Sequence, residues 1–355
     1  MSDELTDSAE RLFANEAGAA VLRDADAGHW PASLWDKVAA AGFPSAMLPE
    51  EAGGFGVTVP EAMGLVRVAA GHAAPIPLGE TMLAAWLLAR AGLAVPEGPL
   101  TIAPVRAGEA LELSPAPGGG WRLSGKVSRI PWARRAAAIA VLAQGSKKGP
   151  ESACVACLPA GRFDIDEASN LAGEPRDSVI VDTVLAEDAV APAPANFGQD
   201  QLRAAGAVLR TNQIAGAIAG ALALTIGYVQ TRVQFGRPIG KFQAIQQNLA
   251  VFAGQSAAAI AAAEMAAEAL AAGLSPVVVG AAKARAGEAA SVAAAIAHQA
   301  HGAIGFTQEY ALHHLTRRLW SWRDEFGNDA EWQRVVGLAA FNAGADGLWP
   351  MITAA

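Results

Sequence analysis

Thr231-Arg232-Val233-Gln234-Phe235-Gly236-Arg237-Pro238-Ile239-Gly240-Lys241-Phe242-Gln243 separates two long Ala-rich apolar stretches, and its reading sets the architecture of the C-terminal half of the chain. One long helix ends here, Gly236 and Pro238 impose a turn, and Ile239 starts a second helix whose first N–H groups have no partner. Arg232, Arg237 and Lys241 surround that start, an arrangement suited to a phosphate or pyrophosphate; the plainer alternative is a polar helical hairpin tip. On the N-terminal side, residues 211–231 carry no charge and approach the roughly 20 residues that span a bilayer. Asn212, Gln213, Thr225 and Gln230 interrupt them, and much of the apolar content is small Ala and Gly, so the stretch reads as a helix buried among helices. Gly216 and Gly220 lie one turn apart, which lets another helix approach closely. On the C-terminal side, Ile239, Phe242, Ile245, Leu249 and Phe252 follow helical steps, and hardly any charge falls between Lys241 and Glu264. That pattern predicts a helix buried on most sides.

A second dense segment is Gln299-Ala-His301-Gly302-Ala-Ile-Gly305-Phe306-Thr307-Gln-Glu-Tyr310. Its glycines follow an apolar helix and allow close backbone approach. Farther on, Trp320, Trp322 and Phe326 lie beside Asp324 and Glu325. A carboxylate against aromatic rings is desolvated and becomes a stronger base; the alternative is a solvated acidic pair in a loop. His298 and His301 share a helix face without a suitable third carboxylate, so a packed pair is preferred to a metal site. Cys154-Val-Ala-Cys157 falls in a strand candidate, where side chains three apart point to opposite faces, and no second such pair exists to complete a zinc site. Gly53-Gly54-Phe55-Gly56 follows no strand and does not fit a dinucleotide fingerprint, and no nucleophile-elbow serine motif occurs. No metal is expected.

Outside these segments, residues up to about 98 read as helices broken by Gly42-Phe43-Pro44, by the loop at 50–56 and by Pro75 and Pro77. Between about 99 and 197 the texture changes to Val- and Ile-rich runs, with strand candidates at 100–105, 121–130, 138–143, 153–158 and 179–185. The expected fold is therefore α+β and multidomain: an N-terminal helical domain (1–98), a small middle β-barrel-like domain (99–197) and a C-terminal four-helix bundle (198–355). The chain has 355 residues, a net charge of −8, 52% hydrophobic and 17% charged residues. This excludes a disordered chain, and an acidic chain without basic runs is suited to neither nucleic acid nor anionic lipid. Two cysteines cannot form a disulfide framework, and the first residues lack the features of a signal peptide, so a cytoplasmic location without membrane insertion is expected.

Two motifs in the right order, Arg232-x-Gln234-Phe235-Gly236-x-Pro238-Ile239-Gly240-x-Phe242-Gln243 and Gln299-x-His301-Gly302-x-x-Gly305-Phe306-Thr307, resemble the C-terminal domain of the flavin-dependent acyl-CoA dehydrogenases. Leu48-Pro-Glu-Glu-Ala-Gly-Gly-Phe-Gly56 is similar to the family's N-terminal loop, and the order helix, β, helix matches its three-part fold. The resemblance implies FAD held between subunits of a homo- or hetero-oligomer, dimer or tetramer. Arg232, Gln234, Phe235, Gln243, Gln299 and Gly302 would reach a neighbour's cofactor. It implies that a carboxylate removes the α-proton of an acyl-CoA while the β-hydrogen leaves as hydride, with electrons passing to an electron-transferring flavoprotein. Counting from Phe306, the family's glutamate falls on Phe326, so Glu325, one residue earlier, is the candidate base and Asp324 the fallback. The alternative base position used by some members falls near Gly206. The middle domain departs from the family. Its Thr-Glu-Pro…Gly-Ser-Asp block is missing, and Arg129 and Pro131 stand where the family has its flavin-side Trp and Thr. Two further readings follow: a half-site subunit of a heteromeric dehydrogenase that completes a partner's flavin site, or the same fold adapted to oxidase or monooxygenase chemistry.

Overall fold

The computed structural model describes residues 2–145 and 153–353. Five helices come first: α1 (Ser2–Glu16), α2 (Ala19–Asp26), α3 (Ala32–Ala40), α4 (Val59–Gly71) and α5 (Leu78–Arg90). Among the described residues eight strands follow: β1 (Leu100–Ala103), β2 (Glu112–Pro115), β3 (Trp121–Pro131), β4 (Ala138–Gly145), β5 (Cys154–Pro159), β6 (Asp164–Asp166), β7 (Arg176–Leu185) and β8 (Val190–Pro192). The chain then returns to helix with α6 (Gln199–Thr231), α7 (Gln243–Ala272), α8 (Pro276–His301), α9 (Leu312–Asp324) and α10 (Asp329–Thr353). The α+β class and the order of helices, sheet and helices are those expected. Two compact units result, one of residues up to Arg23, Met63–Ala74 and residues from Arg210 onward, the other of Asp24–Ala62 and Pro75–Leu209.

In the second unit the strands form one mixed sheet in the order β6-β7-β3-β2-β4-β5-β8, with β1 pairing parallel to β4. Inward Leu111, Leu113, Leu123, Val127, Ile139, Val141, Leu158, Val179 and Val181 make its core. The five strand candidates all form strands. β2, β6 and β8 are not apparent from the sequence: β6 and β8 have only three residues, and β2 (Glu112-Leu-Ser-Pro115) lacks the apolar run that marks the equally short β1. Cys154 is buried and Cys157 half-buried in β5; neither is in a disulfide, and burial raises the pKa of both thiols. β3 pairs with β7 through a register shift between Val127 and Ile130, and Arg129 sits in that bulge with φ +57°. Bulges re-aim side chains, and Arg129 is turned out to solvent.

In the first unit, α6 to α9 enclose a core dominated by Ala: Ile214, Ile218, Phe252, Ala259, Ala263, Ala289, Ala293, Leu315, Leu319 and Trp322. Small side chains let backbones approach. A Cβ on Gly216 would lie 2.0 Å from the carbonyl oxygen of Arg67, and one on Gly220 would lie 2.2 Å from that of Gly71. The one-turn glycine spacing thus serves packing against α4. By length and composition α6, α7 and α10 could each cross a membrane. Residues 210–221 of α6 are almost wholly buried inside this helical core. α10 breaks at Gly344 (φ +69°), and beyond Gly337 it leaves Leu338, Phe341, Trp349 and Ile352 exposed.

Candidate active site

Residues 231–243 fold differently from the expected helix–turn–helix. After α6, β9 (Val233–Gln234) and β10 (Arg237–Pro238) form a two-residue antiparallel ribbon, closed by the Ile239 N–H donating to the Arg232 carbonyl at 2.8 Å. Phe235 (φ +52°) and Gly236 (φ +78°) form its turn, and the double positive φ is what a tight two-residue hairpin demands. Ile239–Lys241 makes a single 3-10 turn, and α7 begins only at Gln243. Periodicity read from Ile239 ran through this turn because one 3-10 turn keeps nearly the same spacing. No side chain caps the first N–H groups of α7. Phe235 is 91% exposed, with its ring edge-on to Phe242 at 6.1 Å, and the Arg237 guanidinium lies 4.3 Å over Phe242. Arg232, Gln234 and Gln243 are exposed beside it, and Arg232 and Lys241 form no ion pair among the described residues. The tip therefore presents an aromatic ring, cations, amides and an uncapped helix start outward.

Gln299 and Gly302 (φ +64°) are exposed where α8 gives way to the 3-10 turn Gly302–Phe306. The two histidines below them are packed. His298 stacks on Phe306 (4.1 Å) and Trp320 (5.6 Å), and its Nε2 meets Thr316 Oγ1 at 2.9 Å. His301 Nδ1 donates to the Ala297 carbonyl at 2.8 Å, and its ring stacks on Tyr228 at 4.5 Å. Burial lowers the pKa of both imidazoles, disfavouring their protonated forms.

The acidic pair sits between α9 and α10. Asp324 closes α9 with its side chain 58% exposed, 3.5 Å from Arg323 Nε. Glu325 follows in extended conformation with 17% exposure, and its Oε2 accepts from Nε of Arg210 at 2.6 Å. Arg210 is wholly buried, also donates to Gln213, and lies 5.4 Å over the ring of Phe326. Where the aromatic setting suggested a carboxylate desolvated into a stronger base, Glu325 is held by a buried guanidinium. A second buried cation fixes the same loop. Lys283 on α8 donates to the carbonyls of Arg323 (2.6 Å) and Gly327 (3.1 Å), and burial lowers its pKa to about 8 despite Asp329, Glu325 and Asp324 nearby. Trp332 Nε1 donates to the Phe326 carbonyl at 3.0 Å, holding Phe326 at φ +55°. Sequence reading missed Arg210 and Lys283; the available signal was a lone charge inside an otherwise apolar helix face.

In the β-sheet unit, Arg129 and Pro131 occupy the positions counted for the flavin-side Trp and Thr. Pro131 pairs with Arg176 in the β3–β7 ladder, and Trp132, one residue on, is buried edge-on to Trp30 at 6.3 Å. An aromatic side chain is present but faces inward.

Residues 2–94 match the family profile for the acyl-CoA dehydrogenase N-terminal domain and residues 204–330 the profile for its C-terminal domain. Acyl-CoA dehydrogenase IpdE2 of Mycobacterium tuberculosis (strain ATCC 25618 / H37Rv) is 30% identical over 323 residues, 88% of this chain and 89% of that protein. A variant of the Tcur3481-Tcur3483 steroid ACAD superposes with a TM-score of 0.85 at 26% identity, over 97% of this chain and 99% of that one. The ChsE4-ChsE5 complex from Mycobacterium tuberculosis shares the fold with a TM-score of 0.84 at 23% identity, over 95% and 96%. With a profile at each end, a relative aligned over most of both chains, and the helix–sheet–helix fold, the chain belongs to the acyl-CoA dehydrogenase family, oxidoreductases whose cofactor is FAD.

Proposed function

We propose that this chain completes a neighbouring subunit's flavin site in an enzyme that α,β-dehydrogenates an acyl-CoA thioester, passing electrons to an electron-transferring flavoprotein. One observation carries the reading: the hairpin tip at Arg232–Gln243 is turned outward with Phe235 91% exposed. An aromatic ring that exposed on a tightly specified turn, beside cations that form no ion pair among the described residues, is characteristic of a contact surface rather than of a solvated loop.

The residues fit the cofactor. Arg232, Lys241 and the uncapped N-terminus of α7 supply positive potential for a pyrophosphate. Gln234, Gln243 and Gln299 offer amides, Phe235 offers a flat face, and Gly302 leaves the backbone open to close approach. FAD when bound supplies the hydride acceptor. The chain's own part is to hold charge and exclude water. Lys283 and Arg210 fix the loop bearing Glu325, so any carboxylate there stands in one place.

Two versions differ in the source of the base. In the first, Glu325 removes the α-proton, with Asp324 as fallback, and must first give up its hydrogen bond to Arg210. In the second, the chain is the half-site subunit of a heteromer, Glu325 remains the loop's anchor, and the partner supplies the base. The Arg210–Glu325 pair and the outward Arg129 favour the second, and the two-chain names of the Tcur3481-Tcur3483 and ChsE4-ChsE5 structures are consistent with it. Expression of the chain alone and with a longer homologue tests this. The half-site version expects colourless protein alone and flavin absorbance only in the co-purified assembly, with Glu325→Gln changing turnover less than tenfold. A yellow homo-oligomer whose Glu325→Gln variant loses 10²-fold or more restores the first version.

A further inference from the structure

The helical unit contains a cleft of about 960 Å³ that none of the chemistry above uses. Its walls come from α1, α2, α4, α6 and α7 and from the segment entering α9, and no residue of the 324–329 loop lines it. The volume is at the upper end of small-molecule sites. α6 creates it: Ala215, Ala219, Ala223 and Gly227 present almost no side chain, while Gly216 and Gly220 seat α6 against α4. The lining positions on α6 run from Ala215 to Thr231, about 24 Å at roughly 1.5 Å per residue.

Polar groups gather toward the ends of this apolar floor. Level with Gly216, Arg67 donates through Nη1 to Asn212 Oδ1 at 2.7 Å. Burial lowers the proton affinity of Arg67, with the charge of Glu264 acting against it, yet no ion pair forms between them. At the α6 C-terminal end stand the phenols of Tyr228 and Tyr310, with the Tyr310 hydroxyl 3.2 Å from His301 Nε2. His72 is already matched, its Nε2 2.7 Å from Glu10. Arg67 is therefore the cation with donor capacity left over. One such cation, with Glu10 and Glu264 on the rim, suits a single negative charge and repels a polyphosphate, which separates this cleft from any coenzyme A subsite.

We propose that the cleft binds an elongated apolar monocarboxylate, its carboxylate on Arg67 and its chain along the Ala/Gly floor of α6. The site stands independently of the flavin reading. Equilibrium dialysis of the full chain in its purified assembly tests it, with palmitate as probe and 1-hexadecanol as its neutral counterpart. Saturable binding of one palmitate per chain is expected, at least tenfold tighter than the alcohol. Arg67→Met should remove that preference while leaving alcohol binding unchanged. Ala223→Trp, which fills an exposed floor position, should abolish both, with flavin content and melting temperature unaltered. Absence of saturable binding, equal affinity for acid and alcohol in the unaltered chain, or full binding by Ala223→Trp would each overturn the proposal. Loss of flavin with palmitate binding intact would instead count against the flavin reading alone.

Discussion

Replacing Arg210 by Met is the perturbation that bears most closely on the role of Glu325. Arg210 is wholly buried, and Nε gives Glu325 Oε2 a 2.6 Å hydrogen bond. Removing one partner of a buried pair costs about 3–5 kcal/mol, because the other charge is left uncompensated. Glu325 keeps 17% exposure and can draw in water, so the lower end, about 3 kcal/mol, is expected. Glu325→Gln retains a carbonyl for the Arg210 Nε to donate to and should cost about 1–2 kcal/mol. The double variant exposes no lone charge, so its loss should fall short of the sum of the singles by roughly 1–3 kcal/mol. Urea midpoints of the four proteins at neutral pH give the coupling. Additivity within about 0.5 kcal/mol would refute the claim that Glu325 is the loop's anchor.

Lys283 gives a pH signature. Its pKa is near 8 in the fold against 10.5 for the free side chain, so between those values the unfolded chain binds more protons and stability rises with pH. The lysine alone contributes a rise on the order of 3 kcal/mol from pH 8 to above 10.5, and Lys283→Met should flatten that limb in urea titrations. Gly220→Ala should cost at least about 1–3 kcal/mol, read as a lowered melting temperature, since its Cβ would lie 2.2 Å from backbone oxygen that cannot move aside alone. Phe235→Ala should change the stability of the isolated chain by less than about 0.5 kcal/mol, being 91% exposed. The same substitution should weaken subunit assembly by about 2 kcal/mol, or roughly thirtyfold, by analytical ultracentrifugation.

Much of this architecture is legible in the chain. The order of helices, sheet and helices follows from where apolar spacing changes from near four to near two, and β1, β3, β4, β5 and β7 announce themselves by apolar, mostly Val- and Ile-bearing runs. Gly216 and Gly220 could be assigned to close packing before the partner was known. The tip was harder, since Phe235 must adopt positive φ to close the ribbon, and a lone Gly236 reads as an ordinary helix-breaking turn. Arg210 and Lys283 stayed hidden for another reason: a charge inside a helix face looks like a solvated residue until the elements packed over it are known. Glu325 was identifiable as a candidate carboxylate, but its guanidinium partner lies 115 residues away along the chain, a distance across which local pattern carries no information.

Flavin stoichiometry of the purified assembly, with the chain unaltered or carrying Arg232→Ala together with Phe235→Ala, decides whether the hairpin tip holds a neighbour's FAD. If the tip completes a neighbour's site, the double variant keeps its helical circular dichroism and loses most of its bound FAD, measured by visible absorbance against protein concentration. Full FAD occupancy in that variant would show that the tip does not complete a flavin site.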